Sequence, residues 1–156
     1  MKREDMRERT VCRQEMSRDL MQVYREVVEN QPMGTTQTDV YKLVVQHPAK
    51  RFYVDPRRAH QRISSMMRGD MSVVENLNPL KRQMYRDLYD VVMRLYQKKG
   101  FWRKSAYYVV KEAVLEPAPR FYIDWKRMEQ IWREKTIETR QQKWKRLGKS
   151  YEKRND

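Results

Sequence analysis

Apolar residues recur along most of this chain at intervals of three and four, the spacing of one face of an α-helix. The first such stripe consists of Met16, Leu20, Val23 and Val27. Polar residues that cap helix N-termini precede the later stripes, and two of them are followed directly by proline. These cap residues are Thr36, Asp55, Asn78 and Asp124. The pattern predicts an all-α fold.

The chain contains an internal repeat. Residues 48–55 (Pro-Ala-Lys-Arg-Phe-Tyr-Val-Asp) recur at 117–124 (Pro-Ala-Pro-Arg-Phe-Tyr-Ile-Asp), an offset of 69, and seven of the eight positions are identical or exchange Val for Ile. Further upstream, residues 18–20 (Arg-Asp-Leu) recur at 86–88 at an offset of 68. We interpret these matches as two copies of one unit, and residues that align between the copies are counterparts.

The repeat predicts two tandem three-helix units. Each has a short extended Arg-Phe-Tyr-Val or Arg-Phe-Tyr-Ile element before its third helix, because Phe, Tyr, Val and Ile favour β geometry. In the second unit, Trp102 is expected on the inner face of the second helix. The predicted segments are an N-terminal helical extension (1–16), repeat 1 (17–69), a linker with the start of the next helix (70–84), repeat 2 (85–137), and a basic helix end and tail (138–156).

The Pro-Ala-Pro-Arg-Phe-Tyr-Ile string at 117–123 resembles a motif in small, basic, uncharacterised bacterial and phage proteins. The similarity would cover both repeats, and it implies no activity. The succession of helix, connection and a third helix with an exposed basic face is similar in architecture to helix-turn-helix proteins.

Charge and composition narrow the function. The 156 residues include 35 Lys and Arg against 21 Asp and Glu, a net charge of +14, and the excess is clustered at 51–69, 81–100 and 140–156. Clusters of this kind favour a polyanionic partner. No apolar run reaches the ~20 residues that span a bilayer, and the N-terminus has no secretory signal. We therefore expect a cytoplasmic protein without a membrane partner.

Catalytic chemistry finds little support. The chain has four glycines, one cysteine (Cys12) and two histidines. It therefore lacks a glycine-rich phosphate loop, an internal disulfide and a zinc-binding set. We expect no enzyme activity, no catalytic residues, no metal and no cofactor.

The third helix of repeat 1 carries the main candidate site. Opposite its apolar face lies a polar stripe, which we expect to contact nucleic acid, consisting of Arg58, Gln61, Arg62, Ser65 and Arg68, with Arg57 beside it. Arg and Gln are suited to phosphates and to base edges. A solvated helix face is the alternative explanation of this stripe.

Further basic residues lie elsewhere in the chain. The equivalents in repeat 2 are Lys126, Arg127 and Gln130, and the tail contributes Lys143, Lys145 and Arg146. Repeat 2 has Ile131 in place of Arg62, so its third helix is expected to serve mainly in packing. Arg51 and Arg120 either contact phosphate or bond the terminal carbonyls of the preceding helix.

These features predict a non-catalytic nucleic-acid-binding protein, with DNA favoured over RNA. The alternative is a helical structural or adaptor protein, related to phage or mobile elements, that binds a protein partner or a second copy. An adaptor would expose an apolar patch, for which the candidate residues are Trp125, Trp144, Tyr107 and Met67.

Overall fold

The computed structural model describes residues 3–98 and 100–155, with side chains over 9–98 and 100–149. The ends of two predicted segments, residues 1–2 and 156, lie outside the described residues. The described chain is all-helical, which confirms the predicted fold class. Its helices are α1 (Arg3–Asn30), α2 (Gln37–Gln46), α3 (Pro56–Met67), α4 (Ser72–Glu75), α5 (Pro79–Tyr96), α6 (Ala106–Ala113) and α7 (Trp125–Asn155), with a 3₁₀ turn at Phe101–Arg103.

The predicted helix starts are confirmed by capping hydrogen bonds. The Thr36 side chain accepts from the Asp39 backbone N–H at 3.2 Å, and Asn78 Oδ1 accepts from the Lys81 N–H at 2.9 Å. Asp55 and Asp124 accept in the same way at the starts of α3 and α7, at 3.0 and 2.8 Å. Each bond satisfies a backbone donor that the first helical turn leaves unpaired.

The structure differs from the sequence-based prediction at Trp102. The predicted N-terminal helical extension continues directly into the first helix, since α1 runs from Arg3 to Asn30. Trp102 does not line a helix interior and is 66% exposed. It lies in the 3₁₀ turn after Gly100, whose φ of +93° favours glycine, and Ser105 caps α6 only three residues later.

The helices pack in two groups that draw on both copies. Helix α7, from the second copy, packs against α1 and α2 of the first, and α3 of the first copy packs against α5 and α6 of the second. Aromatic contacts mark these junctions: Tyr24 on α1 lies 5.8 Å from Trp132 on α7, and His60 on α3 lies 5.5 Å from Tyr107 on α6. The third helix of each predicted repeat thus packs against helices of the other predicted repeat.

The segments that lead into α3 and α7 are joined to each other by backbone hydrogen bonds. They hold the Arg-Phe-Tyr segments, residues 51–54 and 120–123. Ala49 and Ala118, which are counterparts, exchange both backbone hydrogen bonds at 2.9 and 3.0 Å. The Phe52 N–H donates to the Val114 carbonyl at 2.9 Å, and its counterpart Phe121 donates to the Val45 carbonyl at 3.0 Å. This bridge is the β pairing in the described residues, which contain no regular strand.

The aromatic residues of the Arg-Phe-Tyr segments form the centre of the core. Phe52 and Phe121 are almost completely buried. Phe52 stacks on Tyr122 with ring centroids 6.0 Å apart, and Phe121 stacks on Tyr53 at 5.7 Å. Each segment therefore packs on the other, which fixes how the two copies meet.

Candidate anion-binding cleft

A cleft of about 520 Å³ opens between the two copies. Its walls come from α1, α3 and α5, from the two Arg-Phe-Tyr segments with their flanking residues, and from the first turn of α7. We call this the basic cleft, because six cationic side chains line it: Arg9, Arg13, Arg58, Arg62, Lys81 and Arg127. A cleft of this size is in the range of small-ligand sites.

The acidic residue in the lining of the basic cleft is Asp55. Asp55 is buried, and its Oδ1 accepts the backbone N–H of Arg57 as the cap of α3. One carboxylate that is engaged in a cap cannot neutralise six nearby cations. Several positive charges in one cleft raise the electrostatic potential inside the cleft, and this positive potential attracts anions.

Arg58 and Arg127 are predicted site residues that the packing of each third helix against the other repeat brings to one place. They are counterparts, both are exposed, and each lies in the first turn of its helix. Arg127 Nη1 donates to Gln130 Oε1 at 3.1 Å, which holds the predicted residue Gln130 against the cleft arginine. Two residues 69 positions apart thus line one surface.

Arg62 was predicted to lie on an exposed polar stripe, but the structure places it in a half-buried position. Its Nη1 donates to the Val73 carbonyl at 2.6 Å, and its guanidinium lies 5.3 Å from the centre of the Tyr85 ring. Arg62 is half-buried and ties α3 to the start of α4 and to α5. Its counterpart Ile131 is buried in the core, as expected of a helix used in packing.

Arg51 and Arg120 bond the backbone of their own segments. Arg51 Nε donates to the Phe52 carbonyl at 3.2 Å, and Arg120 Nε donates to the Phe121 carbonyl at 3.1 Å. Arg51 also pairs with Glu15 on α1 at 3.1 Å. These carbonyls belong to the Arg-Phe-Tyr segments and not to the preceding helix ends, so the predicted helix-capping role is not observed in these bonds. A phosphate contact of Arg51 and Arg120 stays a prediction.

The two tyrosines of the Arg-Phe-Tyr segments form part of the cleft wall. The Tyr53 hydroxyl donates to Asp19 on α1, and the Tyr122 hydroxyl donates to Asp87 on α5 at 2.5 Å. Burial and the hydrogen bond to a carboxylate both raise the pKa of each tyrosine well above its usual value. Both side chains are therefore neutral and fixed in position at physiological pH.

The rest of the predicted stripe on α3 lies outside the lining of the cleft. Arg57, Gln61 and Arg68 are exposed. Ser65 Oγ donates to the Gln61 carbonyl at 3.1 Å and accepts from Arg68 Nη2 at 3.3 Å. The five-residue stripe is thus divided between the cleft and a separate solvent-facing end of α3.

The remaining predicted residues lie on α7. Lys126 is exposed, and its Nζ lies 5.9 Å from the centre of the Trp125 ring. Lys143, Lys145 and Arg146 lie on the part of α7 where every side chain from 137 to 149 is exposed. This part has five basic residues against one acidic residue, Glu138. It forms a second basic surface.

Sequence reasoning missed three of the cleft cations, Arg9, Arg13 and Lys81. The repeat in the sequence could have identified two of them. Arg13 and Lys81 align at an offset of 68, the same offset that relates Asp19 to Asp87. Arg9 is distinctive in another way: its Nε atom is buried and has no hydrogen-bond partner among the described residues.

Among the side chains described, those of 9–98 and 100–149, no cluster of three or more His, Cys, Asp or Glu residues could hold a metal ion. No helix within 3–98 and 100–155 combines the length and apolar character needed to cross a bilayer. Comparison with protein-family models, with curated proteins and with solved structures found no match.

Proposed function

We propose that this protein binds nucleic acid without catalysis, DNA in preference to RNA, and that it does so in the cytoplasm. The observation that carries the proposal is the basic cleft, in which six cationic side chains face one engaged carboxylate. Phosphate groups are the natural partners of such a surface, since Lys and Arg release condensed counterions when they neutralise a nucleic-acid backbone.

The exposed end of α7 extends the same proposal. Lys143, Lys145 and Arg146 lie on a helix that continues beyond the packed core with solvent on all sides. Basic residues there add affinity that depends on salt and not on sequence. The cleft fixes where the nucleic acid lies, and the α7 end strengthens the attachment.

We further infer that the two repeats form one binding unit with an approximate twofold axis through the Ala49–Ala118 bridge. The support is the exchange of hydrogen bonds between counterparts across that bridge. A helix-turn-helix reader would pack its recognition helix on the helix before it, whereas α3 packs on α5 and α6. The proposed contact is therefore the shared cleft.

A helical adaptor is the second candidate, and one observation favours it. Ile137, Trp144 and Leu147 are all more than half exposed. Their spacing of seven and three residues places them on one side of α7. Trp144 was one of the predicted adaptor contacts; Met67 and Tyr107 are also exposed, at 39% and 37%, whereas Trp125 is half-buried. An adaptor would use this stripe for a protein partner.

The test is a fluorescence-anisotropy titration with labelled duplex DNA, single-stranded DNA and RNA between about 50 and 200 mM salt. The variant combines Arg58→Ala with Arg127→Ala. Because each lost phosphate contact removes about 0.9 from the slope of log affinity against log salt on duplex DNA, we expect a slope shallower by up to about 1.8.

The matched control is Arg18→Ala with Arg86→Ala. These arginines are also counterparts and are also exposed, but neither lines the cleft. The two variants have the same net charge, so the control should keep most of the affinity and slope. Equal losses in both variants would show that overall charge, and not the cleft, determines binding. Unchanged binding in a folded Arg58/Arg127 variant would favour the adaptor.

A further inference from the structure

The lining of the basic cleft is duplicated. Arg58 and Arg127 face it from the two copies, and Arg13 and Lys81 form a second cationic pair of counterparts. The uncharged lining is paired in the same manner, as Met16 with Met84, Tyr53 with Tyr122, and Val54 with Ile123. At these paired positions the two halves present similar chemistry, whereas Arg9 and Arg62 add cations from the first copy only, since their counterparts are Leu77 and Ile131.

The first turns of two helices line the two halves. Asp55 and Arg58, at the start of α3, line the cleft, as do Ile123 and Arg127, at the start of α7. The carboxylates of Asp55 and Asp124 cap these helices and offset the partial positive charge of each N-terminus. The cationic character of this part of each half therefore comes from its arginine, Arg58 or Arg127.

Arg9, one of the cations that line the cleft, differs from the others in its hydrogen bonding. The Nε of Arg9 is buried without a hydrogen-bond partner in the described residues, and a buried guanidinium donor left unpaired is costly. Arg9 has no basic counterpart, because Leu77 aligns with it at the offset of 68. Arg9 thus adds a cation on the first-copy side only.

From these observations we propose that the basic cleft binds a dinucleotide, a small ligand whose two phosphate groups are each held by one half. A mononucleotide would leave one half uncompensated, whereas two linked phosphates engage both at once. The half-buried aromatic and aliphatic lining residues Tyr53, Tyr122 and Met16 offer the apolar surface that nucleobases need. The identity of the anion as a nucleotide rests on the proposed function.

Two kinds of ligand share this chemistry, a free cyclic dinucleotide and the phosphorylated end of a nucleic-acid strand. The experiment therefore has two dinucleotide arms, cyclic diadenylate and 5′-phosphorylated linear ApA, with AMP as the single-phosphate reference. Isothermal titration calorimetry measures affinity, and thermal melting with saturating ligand measures stabilisation of the folded chain. We expect at least one dinucleotide to bind about tenfold or more tightly than AMP.

The variants locate the site. Arg58→Ala with Arg127→Ala should weaken dinucleotide binding about tenfold or more and reduce its advantage over AMP. Arg18→Ala with Arg86→Ala should leave both unchanged. If the first variant fails to fold by circular dichroism, Arg58→Ala alone and Arg127→Ala alone replace it. Each single change should reduce the affinity, because Arg58 and Arg127 line the cleft from different copies.

The outcomes separate this inference from the proposed function. If neither dinucleotide binds more tightly than AMP while duplex DNA binding depends on Arg58 and Arg127, the dinucleotide site is refuted and the proposed function stands. Dinucleotide binding that is lost in the Arg58/Arg127 variant, without binding of any polymer, supports the site and refutes the proposed function. Dinucleotide binding that is equally strong in both double variants refutes the cleft as the site.

Discussion

Removal of the Tyr53 hydroxyl should destabilise the protein more than removal of the Tyr122 hydroxyl. Each donates to a carboxylate on the first helix of its own copy, Asp19 or Asp87. The two carboxylates differ in their surroundings. Asp19 is 7% exposed, with Lys50 Nζ 3.9 Å away, whereas Asp87 is half-buried and also accepts a hydrogen bond from a neighbouring amide.

The expected magnitudes follow from these partners. A hydrogen bond to a charged group contributes about 1.5–3 kcal/mol. After Tyr53→Phe, the partner that remains for the buried Asp19 carboxylate among the described side chains is Lys50 Nζ at 3.9 Å. We therefore expect a loss of about 2–3 kcal/mol in the free energy of unfolding. After Tyr122→Phe, Asp87 keeps the 2.8 Å bond from Gln83 and access to water. The expected loss there is about 1–1.5 kcal/mol.

Urea unfolding followed by circular dichroism measures both losses, with an unchanged m-value as the check that only stability has changed. The control is Tyr108→Phe, on an exposed ring, which should change the stability by less than about 0.5 kcal/mol. Equal losses in Tyr53→Phe and Tyr122→Phe, or a larger loss in the second, would refute the assigned difference between the two carboxylates.

Three further predictions concern the same segments and the α7 end. Because the pKa values of Tyr53 and Tyr122 are raised in the folded chain, the folded state keeps protons that the unfolded state loses, so stability should fall as pH rises through about 10. Urea titrations at rising pH should show a smaller fall when both are Phe. Phe52→Ala and Phe121→Ala should each cost about 3–5 kcal/mol in thermal or urea unfolding, since both rings are buried; a loss below about 1 kcal/mol would contradict their place in the core. Deletion of 140–156 should leave the melting temperature nearly unchanged, because the side chains from 140 to 149 are exposed, but should lower anisotropy-measured affinity equally for all nucleic-acid sequences.

Helix positions were predictable from the sequence because their determinants are local. A cap residue acts on a backbone N–H two or three positions away, as Asp55 does at α3 and Asn78 at α5. The prediction failed at Trp102, where the aromatic type suggested a buried position. Gly100 and Ser105 delay the helix by a few residues there, and so the ring stays in solvent.

The candidate site was predictable only in part. Arg58 and Arg127 could be selected by their charge and by their place in the repeat. Arg62 could not be distinguished from them, since the helical spacing gives no information about Tyr85 and the Val73 carbonyl, which lie on other elements. The cleft cations of α1 and α5 were missed because both helices were assessed only for their apolar stripes.

The sequence alone determined the all-helical class, the helix starts and the charge, and it contains the internal match between residues 48–55 and 117–124. The tertiary structure decided which copy each third helix packs against. Both copies present a similar apolar face, so packing within a copy and packing across copies satisfy the same pattern of hydrophobic positions. The connections settle the choice, because Ala49 pairs with Ala118 and each Phe stacks on the other copy's Tyr. That packing across copies brings Arg58 and Arg127 to one cleft.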